Sequence, residues 1–369
     1  MLKGNDKISA NQVMFILLTT IIGVGILSLP RNAAQKASTD GWILIILGGI
    51  TACIFTAVSV KLVKLFTNKT IVEFGRELVT TPVSNVISII LFIHFVIFSA
   101  FEIRIFAEVV KMFLLDDTPT EIIIISMLLV SAYLVRGGIE GLARMAELIL
   151  PIVIIPVFLL LLSLIPDLDF TNLLPLFRTN PLDIIKSVHI TFFSFMGYEL
   201  ILLISAYVKD TENLMKFNIL SILIVMFVYI VFFVVSLSRF GENEVKHLLW
   251  PTLSLMKTID LPGAFIENIE GIVMGLWVLS VFASLSPFYY SAALILCKLC
   301  RLKEHKYFVL PIMPFIYMLS LALDNIASVY DVMEKITSYL GTSVVVVIPV
   351  VYLIVALIKK KRKRAANNG

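Results

Sequence analysis

Long apolar runs separated by short polar segments set the pattern of this chain. Ten runs stand out, at roughly 10–30, 42–66, 83–111, 121–135, 142–165, 185–208, 215–238, 269–297, 308–323 and 338–358. An α-helix needs about 20 apolar residues to cross a bilayer, so each run predicts a membrane-spanning helix. The fourth and ninth are short and require tilt or extension. Segment 166–184, with Pro166, Pro175 and Pro181, predicts an ordered loop that is not helical throughout. In the longest polar segment, 239–268, Leu248, Leu249, Trp250, Leu253, Leu255 and Met256 predict a short amphipathic helix on or under the membrane face.

Two runs carry their own interruption. The first contains Gly23-Val24-Gly25-Ile26-Leu27-Ser28-Leu29-Pro30. Glycine is a poor helix former and proline removes a donor. At membrane depth an opened backbone persists only where it lines a cavity or binds something, although close packing through small residues would also use Gly-x-Gly. The sixth run contains Phe195-Met196-Gly197-Tyr198-Glu199, with Gly197 near its middle. Five runs per half is an odd number, so the second half runs upside down relative to the first. Interrupted helices at corresponding positions of inverted halves point to a transporter-type binding site. The half-helix N-termini are expected to be bare and to offer N–H donors to an anionic group such as an amino-acid carboxylate. The opened carbonyls would face an ammonium group or a cation. The plainer account is a packing Gly197 with Glu199 near a helix end.

The third run is the most polar inside: His94, Phe98, Ser99, Phe101, Glu102, Arg104 and Glu108. A charge at the bilayer centre costs about 2.5–3.5 kcal/mol on insertion scales, so such residues face the protein interior and have partners. Arg104 and Glu108 are spaced i, i+4 and are expected to pair as a structural tether. His94, Phe98, Phe101 and Glu102 share one helix face, expected to look into the cavity; for a lone histidine, a satisfied core position is the alternative. In the eighth run Ser280, Ser284, Phe288 and Ser291 form a small polar and aromatic stripe that lines the same cavity or glues helices together. Pro287 predicts a kink there.

Composition confirms the class that the pattern implies. The chain has 369 residues, 59% hydrophobic and 15% charged, with a mean hydropathy of +0.99, which excludes a soluble domain. With both termini cytoplasmic, two thirds of the Lys and Arg residues fall on the inside, as an even number of spans requires. The polar N-terminus (Lys3, Asp6, Lys7) does not read as a cleavable signal peptide. The tail Lys359-Lys360-Lys361-Arg362-Lys363-Arg364 reads as a cytoplasmic anchor attracted to anionic lipid rather than a nucleic-acid tail. Cys297 and Cys300 lack the further ligands of a zinc site and are expected to pack at a helix end. No hydrolase set, phosphate loop or metal-ligand cluster is present in the sequence, so neither an enzyme nor a cofactor is expected.

Taken together, several of these stretches resemble a known family. They are Gly23 to Arg31 with Asp40-Gly41-Trp42; Phe101-Glu102-Ile103-Arg104 with Ala107 to Lys111 and Thr118-Pro119; Phe195 to Glu199; and Trp250-Pro251-Thr252-Leu253-Ser254. Over nearly its whole length the chain is similar to the B subunit of the bacterial spore germinant receptor. That is the endospore germination permease family, within the amino acid–polyamine–organocation superfamily. The resemblance implies an all-α membrane protein of ten transmembrane helices in a five-plus-five inverted repeat of the LeuT/APC type, broken in helices 1 and 6. The repeats would cover about 10–165 and 185–358, followed by the basic tail 359–369. It implies a place in the spore inner membrane, action with A and C subunits, and sensing of a small nutrient, commonly an amino acid, to trigger germination.

Binding in such a fold is expected between helices 1, 3, 6 and 8. Here that maps onto Gly23, Gly25, His94, Phe98, Met196, Gly197, Ser284 and Phe288. Phe98 and Phe288 are bulky for pocket positions and leave room for a small ligand, or for one different from the usual. Glu102, Arg104, Glu108 and Glu199 are candidates for coupling or gating. The alternatives are an ion-coupled secondary amino-acid transporter, with Glu102 or Glu199 as the coupling acid, and a scaffold that only holds partner subunits.

Overall fold

The computed structural model describes residues 7–259 and 269–367. Lys3 and Asp6, the stretch 260–268 of the long polar segment, the side chains of the basic run beyond Lys360, and the last two residues lie outside the described residues. The chain is helical almost throughout. The helices are α1 (Ala10–Ile22), α2 (Gly25–Ala37), α3 (Gly41–Lys64), α4 (Ile71–Leu78), α5 (Thr81–Phe113), α6 (Thr120–Arg136), α7 (Ile139–Ser163) and α8 (Pro181–Ser187). They continue with α9 (Phe192–Phe195), α10 (Ile201–Ile204), α11 (Leu214–His247), α12 (Pro251–Lys257), α13 (Ile269–Leu299), α14 (Lys306–Ser320), α15 (Ile326–Ile336) and α16 (Ile348–Asn367).

Local chemistry explains several boundaries. α1 starts at a capping box in which Ser9 and Gln12 each take the other's backbone N–H, and Asp210 accepts the Ala10 N–H at 2.7 Å. α4 starts at the same device, Thr70 with Glu73. α5 starts after Thr80 with Pro82 in its first turn, where a missing N–H costs nothing. The first part of the loop 166–180 holds short 3₁₀ turns, Ile165–Asp167 and Phe170–Leu173, and 174–180 is not helical. Buried Asp40 fixes it to the end of α2 by accepting the N–H groups of Phe177 (2.6 Å) and Thr179 (2.8 Å). The predicted amphipathic helix is α12, with Pro251, Thr252, Leu253, Leu255 and Met256 buried. Cys297 is buried at the end of α13 and Cys300 is exposed just beyond it. Pro287 is carried inside α13.

Among the described residues, six helices are long and apolar enough to cross a membrane, two of them joined from consecutive helices. The count is seven if the bent pair Pro181–Phe195 and Tyr198–Tyr207 is one span. α1 and α14 are apolar but shorter. The molecule is an integral multi-pass helical membrane protein. α1 sits at its centre, packed on α7, α11 and α13, while α5 lies along α13 and α3 along α11.

α15 and α16 are joined by two π-helical segments, Thr337–Gly341 and Ser343–Val347. The wide turns bring Gly341 onto the Met196 side chain. On the α4 side, Lys298 at the end of α13 reaches Glu73 at 2.8 Å. Burial works to raise the Glu73 carboxyl's pKa, but the hydrogen bonds and charge from Lys298 and Thr70 hold it below the ordinary glutamate range.

Candidate functional site

The site is built where two helices stop in the middle of the protein. α1 ends at Ile22, Gly23 leaves the helical region at φ −34°, ψ −102°, and α2 begins at Gly25. Such a stop frees backbone groups that must find partners when buried. The Ile21 carbonyl accepts from the Tyr229 hydroxyl of α11 at 2.7 Å. The Gly25 carbonyl accepts from Ser194 of α9 at 3.0 Å, and the Ile26 carbonyl from Thr252 of α12 at 2.8 Å. The Val24 N–H is directed at the carboxyl group of Glu102 on α5. Glu102 Oε1 also accepts from the hydroxyl of Ser284 on α13. A side chain at position 23 would collide with Ser284 and Glu102, so a glycine is what lets these three elements meet.

The second stop lies between α9 and the turn that precedes α10. Met196 is extended, and Gly197 has φ +124°, a conformation that glycine adopts without strain. The two halves meet at 60°. Glu199 Oε2 accepts the Gly197 N–H at 2.8 Å, and its Oε1 lies 3.0 Å from Nε2 of His94 on α5. Both side chains are fully buried. Gly197 rests against Thr20 and Ile21 of α1, so the two stops touch. The Tyr229 hydroxyl, 2.6 Å from the Ser194 carbonyl as well as 2.7 Å from that of Ile21, ties one to the other.

Between the stops lies a cavity of about 20 Å³ walled by Gly25, Phe98, Glu102, Phe193, Met196 and Phe288 among others. That is room for one water molecule. A second cavity of about 210 Å³ is lined by Arg31, Lys36, His189, Asp331 and Glu334 among others. Phe193 lines both cavities.

The structure thus brings most of the sequence-predicted residues together. Gly25, Phe98, Met196, Phe288 and Glu102 line the small cavity; Gly23 and Ser284 stand with Glu102 at the first stop; Gly197 and Glu199 form the second. His94 departs from its expected place on the cavity wall. Its ring packs on Phe98 at 4.5 Å, but its Nε2 faces Glu199. At each stop one N–H group is turned toward a protein carboxyl group, that of Val24 to Glu102 and that of Gly197 to Glu199. Arg104 and Glu108 pair at 2.9 Å as their spacing predicts. They do so away from the cavity, where Arg104 also donates to the carbonyls of Ser320 and Asp324 at 3.3 and 3.4 Å.

Sequence reasoning missed Tyr229, Ser194, Phe193 and Thr252 as site residues. Tyr229 carried a usable signal, a phenol inside an apolar run, because buried tyrosine hydroxyls find partners. Among the described residues no group of His, Cys, Asp and Glu side chains is arranged to hold a metal ion.

Packed apolar helices, with the backbone breaks at Gly23 and at Gly197 lying side by side, define a helical membrane protein of LeuT/APC-like fold. A solved structure titled "Crystal structure of MhsT in complex with L-phenylalanine" matches this fold with a TM-score of 0.70, over 93% of this chain and 87% of that one, at 12% identity. The family is fixed by sequence: residues 7–329 match the spore germination protein family, and the chain belongs to it. It is similar to spore germination protein YndE of Bacillus subtilis, 28% identical over 92% of this chain and 94% of that one. It is also similar to spore germination protein A2 of the same organism, 30% identical over 78% of this chain and 79% of that one. Spore germination protein GerLB of Bacillus cereus is 29% identical over 86% of each chain.

Proposed function

We propose that this chain is the nutrient-sensing subunit of a spore germinant receptor. In this reading it binds a small ligand, an amino acid, in the cavity between the two interrupted helices, and passes the resulting shift to A and C partner subunits. The observation that carries the reading is the meeting of Gly25, Phe98, Met196 and Phe288, from four separate parts of the chain, on one cavity at the stops. The matching fold of a protein crystallised with an amino acid supports the ligand class. In this reading the chain has ten spans in a five-plus-five inverted repeat, with α1–α2 as span 1, α5 as span 3, α8–α10 as span 6 and α13 as span 8. It lies in the spore inner membrane with both termini cytoplasmic and performs no catalysis. The larger cavity then opens outward, with Phe193 between it and the ligand.

A ligand shifts a conformational equilibrium only by its differential affinity for the two states. Sensing therefore needs a bound form, and it needs no release on the far side. The test is thermal stability of the purified chain against a panel of amino acids, repeated on Gly25→Ala and Phe98→Ala. A ligand at 100 times its dissociation constant stabilises the bound state by about 2.7 kcal/mol. A shift for one compound, lost in both variants, is the expected result. No shift with the chain alone or in complex with its partners sinks the proposal and leaves a scaffold. Tracer uptake into proteoliposomes decides the alternative of an ion-coupled transporter, which predicts accumulation where a sensor predicts none.

A further inference from the structure

We infer that the chemical group recognised in the small cavity is an ammonium ion, and that binding there needs no ligand carboxylate. This rests on the reading that the cavity holds the nutrient. Three independent observations lead to it.

The first concerns the donors that an anion would use. At a helix start these are the free backbone N–H groups. Here the Val24 N–H is directed at Glu102 and the Gly197 N–H is bonded to Glu199. A ligand carboxylate arriving at the second stop finds the Gly197 N–H already taken by the Glu199 carboxyl group.

The second concerns Glu102 itself. Among the described residues it is the one ionisable side chain in the cavity wall. It is only 6% exposed. Ser284 donates to its Oε1, while its Oε2 makes no hydrogen bond among the described residues. A buried acceptor left without a donor is costly. A ligand N–H group would remove that cost. An ammonium beside a carboxylate also makes a neutral pair, the condition on which charge is tolerated at membrane depth.

The third concerns the rest of the wall. The rings of Phe98, Phe193 and Phe288 all line this cavity, with Phe98 lying 6.1 Å from Phe193 and 6.3 Å from Phe288 between centroids. Aromatic faces attract cations through the ring quadrupole. A neutral hydroxyl could donate to Glu102 Oε2 but would gain nothing from the rings. The ligand class is therefore primary amines, amino acids being included through their amino group. The ammonium head matches the room present, and Phe193, shared with the larger cavity, is the side chain that must swing to admit the remainder.

The experiment measures thermal stability of the full chain against the common amino acids, and against the decarboxylated amine and the deaminated acid of each that stabilises it. Ethylamine and propionate are run in every case. The amine is expected to keep its dissociation constant within about tenfold of the parent amino acid, and the deaminated acid to lose about a hundredfold, the scale of a buried charged partner. Glu102→Gln should abolish the preference for the amine. Phe193→Leu, which leaves the carboxyl group in place, should weaken the amine by about fivefold to tenfold through the lost ring face, and it decides the matter if Glu102→Gln does not fold. A deaminated acid that binds as well as its parent overturns the inference, as does an amino acid whose amine has no effect; in both cases the amino-acid reading stands. If no compound stabilises the chain, alone or with its partners, both readings fall together.

Discussion

The two interruptions solve the same problem by different routes. Each leaves a backbone N–H pointing into the protein core, and each turns it toward a glutamate. At the second stop the glutamate is local: Glu199 lies two residues past Gly197 and caps the turn it belongs to, while His94 holds it from outside. At the first stop the glutamate is foreign: Glu102 comes from α5 and is steadied by Ser284 of α13. A local cap travels with its own backbone. A foreign cap is lost whenever the helices move apart. The first stop is therefore the one whose seal depends on how α1, α5 and α13 are packed.

The comparison can be broken most forcefully at His94. Replacing it by leucine leaves the fully buried Glu199 carboxyl with the Gly197 N–H as its remaining partner among the described residues, and stripping a buried polar group of a partner costs about 1–3 kcal/mol, more when the group is charged. The expected outcome is a strong fall in thermal stability in detergent, with His94→Gln recovering part of it by supplying a side-chain donor. Equal stability of His94→Leu and the parent chain would show that Glu199 is held by its own turn alone.

Next come the two glycines. Gly197→Ala puts a side chain at φ +124° and should cost about 1–3 kcal/mol of backbone strain. Gly23→Ala should cost about 1–3 kcal/mol for a different reason, collision with Ser284. Trimming the neighbour separates the two. Ser284→Gly is expected to restore part of the loss in Gly23→Ala, with a coupling of about 0.5–3 kcal/mol in a double-mutant cycle, and to restore nothing in Gly197→Ala. If Ser284→Gly fails to relieve Gly23→Ala, the close meeting of α1 with α13 is not what requires the glycine.

The smallest effect expected is at Tyr229, which touches both stops. Tyr229→Phe removes the hydroxyl shared between the Ile21 and Ser194 carbonyls and should cost about 1–3 kcal/mol, toward the lower end because each carbonyl keeps a second lone pair. Hydrogen exchange in the segments around 19–27 and 192–199 should rise together in this variant. A rise confined to one segment would mean that the two stops are not mechanically joined through Tyr229.

How much of this was legible in the sequence follows from the distances involved. The apolar runs, both interruptions and the Arg104–Glu108 pair could be read because each is set within a few residues. Run length is fixed by membrane thickness, glycine and proline act on their own turn, and residues four apart on a helix are neighbours. The position of Phe98 and Glu102 on one side of α5 is a matter of helical period, and both line the small cavity. His94 shows the limit, because period put it on that same face while packing turned its imidazole to Glu199, 105 positions away. Tyr229 reaching Ile21 and Ser284 reaching Glu102 are of the same kind, at separations of 208 and 182 positions. Such contacts depend on how each helix is rotated about its axis and how closely it approaches its neighbours, and a one-dimensional pattern does not carry that rotation. The sequence by itself determined that the chain crosses the membrane many times and where two of its helices must stop. Tertiary packing alone decided which side chains close those stops, and so what kind of group the space between them can accept.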